Sequence, residues 1–230
     1  MRIRDLPSPN HDARPAGVAV DMLVLHYTGM PDEASALARL TDPAAEVSAH
    51  YLVSEDGAVT RLVPEEWRAW HAGMSHWRGH SALNGRSIGI EVVNPGHDWG
   101  YRPFPALQMG AVSALCRDIL ARHPIPARNV VAHSDIAPDR KRDPGELFDW
   151  EGLARDGVGL WPGPWRGAVP QATEAPSLLA RIGYRADLPL PVLLPAFQRH
   201  WRPARVDGLA DAETLARLAA VAEACEQTGE

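Results

Sequence analysis

The sequence predicts an α/β protein with a small helical unit behind it. Two observations carry this reading. Over roughly the first 165 residues, apolar runs of strand length alternate with segments of helical period. After a break rich in Pro and Gly, only helical signals follow.

The run VDMLVLHYT (20–28) is continuously apolar and reads as a buried strand ending at His26, Tyr27 and Thr28. EASALARL (33–40) reads as a short helix. AHYLVSEDGAVTRLVP (49–64) reads as a hairpin turning at Glu55-Asp56-Gly57. RSIGIEVVN (86–94) is a second interior strand, stopped by Asn94-Pro95-Gly96. PALQMGAVSALCRDILARH (105–123) is a helix, because Val112, Leu115, Cys116 and Ile119 recur at i, i+3, i+4, i+7 behind Pro105. RNVVAHSD (128–135) is a further strand, and ELFDWEGLARDG (146–157) is a helix stopped by Gly157.

WPGPWRGAVPQATEAP (161–176) breaks the pattern. The linker is set at 166–175, between a unit of residues 1–165 and a helical unit of residues 176–230. That second unit carries three helical signals: 176–184; 191–203, with Leu194, Phe197 and Trp201 on one face; and 211–225, with Asp211 as N-cap. A unit this small has a marginal core alone and is expected to lean on its neighbour.

Composition narrows the function classes. The 230 residues carry a net charge of −6, and Arg140-Lys141-Arg142 is the one dense basic run, so a nucleic-acid partner is not expected. No apolar run approaches a membrane span. Cys116 and Cys225 sit on the apolar sides of separate helical segments and read as buried free thiols. The first 17 residues lack an apolar leader, which predicts a cytoplasmic location, or a periplasmic one if a leader has been removed. A monomer is expected.

The chemistry gathers at strand ends, where side chains leave the packed sheet. His26 ends one apolar strand and His133 another; Asp143 follows on a loop stiffened by Pro144. Two histidines and a carboxylate suit a catalytic zinc with one position left for water. Thiolate ligands and the clustered acids of a calcium site are absent, as are HExxH and CxxC. Singly, a histidine is more often structural than a ligand; it is the constellation that points to a metal. Glu91 is an acid inside an apolar strand. Burying it unpartnered costs roughly several kcal/mol, so it faces a cleft, where it can carry a proton, or else faces solvent or pairs with an arginine. Lys141, two residues before Asp143, is placed to stabilise an oxyanion, or is a solvated loop cation, as Arg140 and Arg142 are expected to be.

Four blocks together, LHYT, SAHYLVSEDGAVTRLVPEEWRAWHAG, NGRSIGIEVVN and AHSDIAPDRKRDPG, resemble the zinc-dependent N-acetylmuramoyl-L-alanine amidases of the amidase type 2 family, over about residues 15–160. The resemblance implies a central mixed β-sheet flanked by helices. It implies zinc ligands at His26, His133 and Asp143, a catalytic glutamate at Glu91 and a catalytic lysine at Lys141. It implies substrate contacts at Tyr27, Trp70, His71 and Asn84, although His71 serves equally as a hydrogen-bonded scaffold. His50, His76, His80 and His97 have no role in these motifs and are expected on the surface or in loops. The segment AFQRHWRPARVDGLADAETLARL resembles a three-helix peptidoglycan-binding domain. The implied reaction cleaves the amide between (1,6-anhydro-)N-acetylmuramic acid and L-alanine, with muropeptides or cell wall as partners. A non-catalytic peptidoglycan recognition protein and a phage-type lysin are the alternatives on the same fold.

Overall fold

From residue 3 to residue 227, the span described by the computed structural model, the chain runs through β1 (Ile3–Asp5), β2 (His11–Ala13), β3 (Met22–Tyr27), α1 (Glu33–Thr41), β4 (Tyr51–Val53), β5 (Val59–Arg61) and β6 (Trp67–Ala69). It continues through β7 (His76–Trp77), β8 (His80–Ser81), β9 (Ser87–Val92), α2 (Gly96–Trp99), α3 (Ala106–Arg122), β10 (Val130–Ala132), α4 (His133–Ile136) and α5 (Trp150–Arg155). Three helices close it: α6 (Ala175–Ile182), α7 (Leu190–Trp201) and α8 (Ala212–Gln227).

The main sheet has the order β1-β5-β4-β9-β3-β10. It is mixed: β4 and β5 pair antiparallel as a hairpin, and the other neighbours run parallel. Two short antiparallel ribbons, β2-β6 and β7-β8, flank it.

Strand alternation sorts the side chains onto two faces. Leu23 and Leu25 of β3, with Ile88, Ile90 and Val92 of β9, pack against Val112, Leu115, Cys116 and Ile119 of α3 and against Trp150 and Leu153 of α5. On the other face, Leu52 meets Ala36 and Leu40 of α1. There too, Met22, Val24 and Val131 share one core with Leu179, Phe197, Leu218 and Val221 of the three closing helices. The top of that second face is left for polar residues. His26 of β3 is the direct register partner of Glu91 of β9.

Local chemistry explains where the elements start. The Asp32 side chain accepts from the Ser35 N–H and opens α1; Asp211 does the same for α8 through the Thr214 N–H. Two expectations are corrected. The strand read as 128–135 ends at Ala132, because Asp135 Oδ2 accepts the Ala132 N–H at 2.8 Å and His133 begins a helical turn. The helix read as 146–157 starts at Trp150, because Asp149 is its N-cap, accepting from the Gly152 N–H at 2.8 Å. Strands β1, β2 and β6 to β8 lie outside the sequence reading; each has two or three residues and no apolar alternation. Cys116 and Cys225 are both buried, as expected.

Candidate active site

Three buried side chains converge at the top of the sheet. His26 comes from the end of β3, His133 from the first residue of α4, and Asp143 from the loop that follows. His26 Nδ1 lies 2.9 Å from His133 Nδ1 and 3.1 Å from Asp143 Oδ2; His133 Nδ1 lies 2.9 Å from the same oxygen. The loop is held by the Ser134 N–H, which donates to the Asp143 carbonyl at 2.9 Å.

Hydrogen-bond bookkeeping fixes the tautomers. Ser87 Oγ donates to the Leu83 carbonyl at 2.7 Å, so it can only accept from His71 Nε2, 3.1 Å away. His71 Nδ1 is then an acceptor and takes the Nε2–H of His26 at 3.0 Å. His133 Nε2 faces the Ala72 carbonyl at 3.3 Å and must donate to it. Both Nδ1 atoms are therefore bare, and two lone pairs and a carboxylate oxygen point at one another. Hydrogen bonds cannot satisfy three converging acceptors; a cation can. Separations of 2.9–3.1 Å suit donors that share an ion at about 2.0–2.2 Å each, the range of zinc with nitrogen and carboxylate oxygen. Burial, reinforced by the neighbouring His133, lowers the His26 pKa to about 4 and keeps the ring neutral, as a metal ligand must be.

His71 owes its place to β9. Ser87, Gly89 and Glu91 alternate onto the site face of that strand. A Cβ on Gly89 would meet the His71 ring at 2.4 Å, so the imidazole occupies the space a side chain would fill. Asn84 Oδ1 accepts from the N–H groups of His71 at 3.1 Å and Ala72 at 2.7 Å.

The centre opens into a cleft of about 310 Å³. Glu91 is on its wall, with Oε2 buried and unpartnered. Burial pushes the Glu91 carboxyl well above the usual carboxylate range; the Asp143 charge adds to the rise and Lys141 opposes it. Lys141 lines the same cleft, as do Tyr27 and His71; Trp70 and Asn84 do not.

Some placements differ from the sequence reading. Arg140 and Arg142 are exposed loop cations, as expected, and are tethered as well: Arg140 donates to the Ala72 and Met74 carbonyls, and Arg142 pairs with Asp98 at 2.6 Å. His50 is buried, not on the surface, because the Gly89 N–H donates to its Nδ1 at 3.0 Å. His97 is a cleft residue, with Nδ1 3.0 Å from the Tyr27 hydroxyl. Arg39 of α1 also lines the cleft and carries no signal beyond its helix. Ser87 and Gly89 were legible in principle, from their alternation with Glu91.

The family model for N-acetylmuramoyl-L-alanine amidase, Amidase_2, matches residues 16–146, more than half of the chain and every residue of this centre. The chain belongs to that family. Within this amidase family, it is 42% identical to the N-acetylmuramoyl-L-alanine amidase AmiD of Escherichia coli, over 92% of this chain and 85% of AmiD. It is 37% identical to the 1,6-anhydro-N-acetylmuramyl-L-alanine amidase AmpD of Enterobacter cloacae, over 64% of this chain and 86% of AmpD. The structure of E. coli AmiD with anhydro-N-acetylmuramic acid-L-Ala-D-γ-Glu-L-Lys superposes with a TM-score of 0.80 at 40% identity, covering 93% of each chain. The likeness to AmiD thus extends across the closing helices as well.

Proposed function

We propose that this amidase uses zinc, held by His26, His133 and Asp143, to hydrolyse the amide between (1,6-anhydro-)N-acetylmuramic acid and L-alanine of a peptidoglycan stem peptide. The observation that carries the proposal is the convergence of three bare acceptors beside an unpartnered glutamate, in a chain similar to AmiD almost end to end. Zinc in such a site supplies Lewis acidity, polarising a carbonyl and bringing the pKa of water to about 7.

The chain's own groups then divide the work. Glu91 takes the proton of the attacking water and delivers it to the departing alanine nitrogen; its upward-shifted pKa favours holding a proton between the two transfers. The Lys141 ammonium stabilises the negative charge that grows on the carbonyl oxygen. The products are the free lactyl carboxylate and the amine of the stem peptide. Arg39, Arg140 and Lys141 give the cleft three cations besides Arg142, which is paired with Asp98, and this suits a substrate bearing peptide carboxylates. Tyr27 faces this substrate. His71 and Asn84 support the centre from beneath, and Trp70 stands outside the cleft.

A product assay tests the reading. The zinc-loaded protein is given an anhydro-muropeptide and, separately, intact sacculi, with and without chelator, and fragments are identified by mass. Chelator-sensitive release of stem peptide is expected. Release from the soluble substrate alone fits recycling in the cytoplasm; release from sacculi as well fits the envelope. Glu91→Gln should lower turnover by about 10²–10⁴-fold with zinc still bound. A near-normal rate in that variant would remove Glu91 from the mechanism.

A further inference from the structure

The closing helical unit approaches the three-residue centre through two consecutive residues of α7 and through Tyr184. Asp135, two residues beyond His133, is buried, and its carboxylate takes three hydrogen bonds. Oδ2 accepts from the Ala132 N–H at 2.8 Å and from His200 Nδ1 at 2.6 Å; Oδ1 accepts from the Tyr184 hydroxyl. Two of these three donors belong to the closing helical unit. His200 cannot swing away, because its ring is stacked between Trp150 and Trp201, with centroids 3.9 Å from each. The preceding residue, Arg199, lies 3.9 Å from Glu146, three residues beyond Asp143. Glu146 in turn lies 3.2 Å from His97 Nε2 on the cleft wall. His200 therefore holds α4 just beyond His133, and Arg199 holds the loop just beyond Asp143.

The energetics give these contacts direction. A buried carboxylate that loses a partner is left costly to desolvate, and the backbone around it rearranges to find another. The backbone around Asp135 is the turn that starts with His133. Its freedom translates directly into the aim of His133 Nδ1.

We propose that the closing helical unit is a positioning device for the metal centre, with His200 and Tyr184 acting through Asp135 to hold His133 in its ligating orientation. This rests on the metal reading given above. His200 and Tyr184 touch neither cation nor substrate; they are positioning residues.

Cobalt(II), added to the full chain, is the probe. Its dissociation constant is measured by chelator competition and its coordination by visible absorption. His200→Phe keeps the ring stack and removes the donor; Tyr184→Phe removes only a hydroxyl. Each should weaken cobalt binding by about 10–100-fold and alter the absorption bands. His200→Asn, which can return an N–H near the Nδ1 position, should recover most of the affinity. Glu65→Gln serves as a destabilised control, because its partners are Tyr51, Arg122 and His123, none of them in the cleft; it should leave cobalt affinity and spectrum unchanged. If His200→Phe does not fold, Tyr184→Phe decides. Folded variants with wild-type affinity and spectrum overturn the proposal, as does an equal loss in the Glu65 control. A wild-type chain that binds no cobalt would instead overturn the metal reading on which it rests.

Discussion

Gly89 shows how a single missing side chain shapes the centre. The His71 ring fills the volume beside it, and a Cβ there would stand 2.4 Å from that ring. Gly89→Ala should push His71 aside and leave the His26 Nε2–H without its acceptor. Outer partners of metal ligands are worth about 10–100-fold in metal affinity. Chelator competition should therefore find zinc bound more weakly by that factor, with a lower melting temperature. Wild-type values for both would mean that His71 does not orient His26. The positions of the two histidines at the ends of apolar runs, with Asp143 on the loop beyond, suggested the cluster in the sequence, and the resemblance to a known family assigned its three members. The relay from His26 through His71 to Ser87 was not, because its members come from three separate segments.

At the scale of elements, alternation along β9 was the most informative pattern. Ile88, Ile90 and Val92 point into the core while Ser87, Gly89 and Glu91 point to the site. The weakest reading was the boundary at His133, where an apolar strand signal continues into a helical turn. Side-chain caps decide such boundaries. Asp149 caps α5, the short helix whose Trp150 stacks on His200. Asp149→Ala should cost about 0.5–2 kcal/mol of stability, and Asp149→Ser should restore most of it. Urea unfolding of the three proteins checks this; equal midpoints and slopes would show that the cap contributes nothing.

For the whole molecule, one core ties the closing helices to the sheet. Met22, Val24, Trp77 and Val131 share it with Phe197, Leu218 and Val221. Calorimetry should accordingly show one unfolding transition for the full chain; two resolved transitions would mean that the helical unit melts by itself. Phe197 is fully buried in that shared core, so Phe197→Ala, costing about 3–5 kcal/mol, should lower this single transition rather than split it.

Acid should destabilise the same whole molecule. Burial, with the Arg14 charge, lowers the His50 pKa to about 3 from 6.5. Below pH 6.5 the unfolded chain takes a proton there that the fold refuses, so stability falls between pH 6.5 and about 3. The slope is about 1.4 kcal/mol per pH unit for one proton. For Glu65, burial pushes the pKa up, but the bonds from Arg122, Tyr51 and His123 outweigh it and bring it down to about 2 from 4.5. Its stabilisation is present above pH 4.5 and is lost as pH falls toward 2. Urea unfolding at about pH 7, 5.5 and 4.5 should show this loss, and His50→Asn should reduce the slope by about one proton's share, the remainder coming from the equally buried His26 and His71. A wild-type stability independent of pH over that range would contradict a buried neutral His50.

The order of residues was enough to place the longer strands and helices, because periodicity and turn chemistry are local; His26, His133, Asp143 and Glu91 were singled out one by one at strand ends and a loop, and the resemblance to a known family joined them into one site. Local pattern also separates the core face of a strand from its polar face. What it cannot carry is which distant groups meet. The tautomers that leave two Nδ1 atoms bare depend on Ser87, His71 and Ala72 arriving at one point. The grip on α4 depends on α7 docking against it. Those contacts follow from burying apolar faces against one another, and hydrogen bonds between segments far apart in the chain acquire their geometry only when that packing is complete.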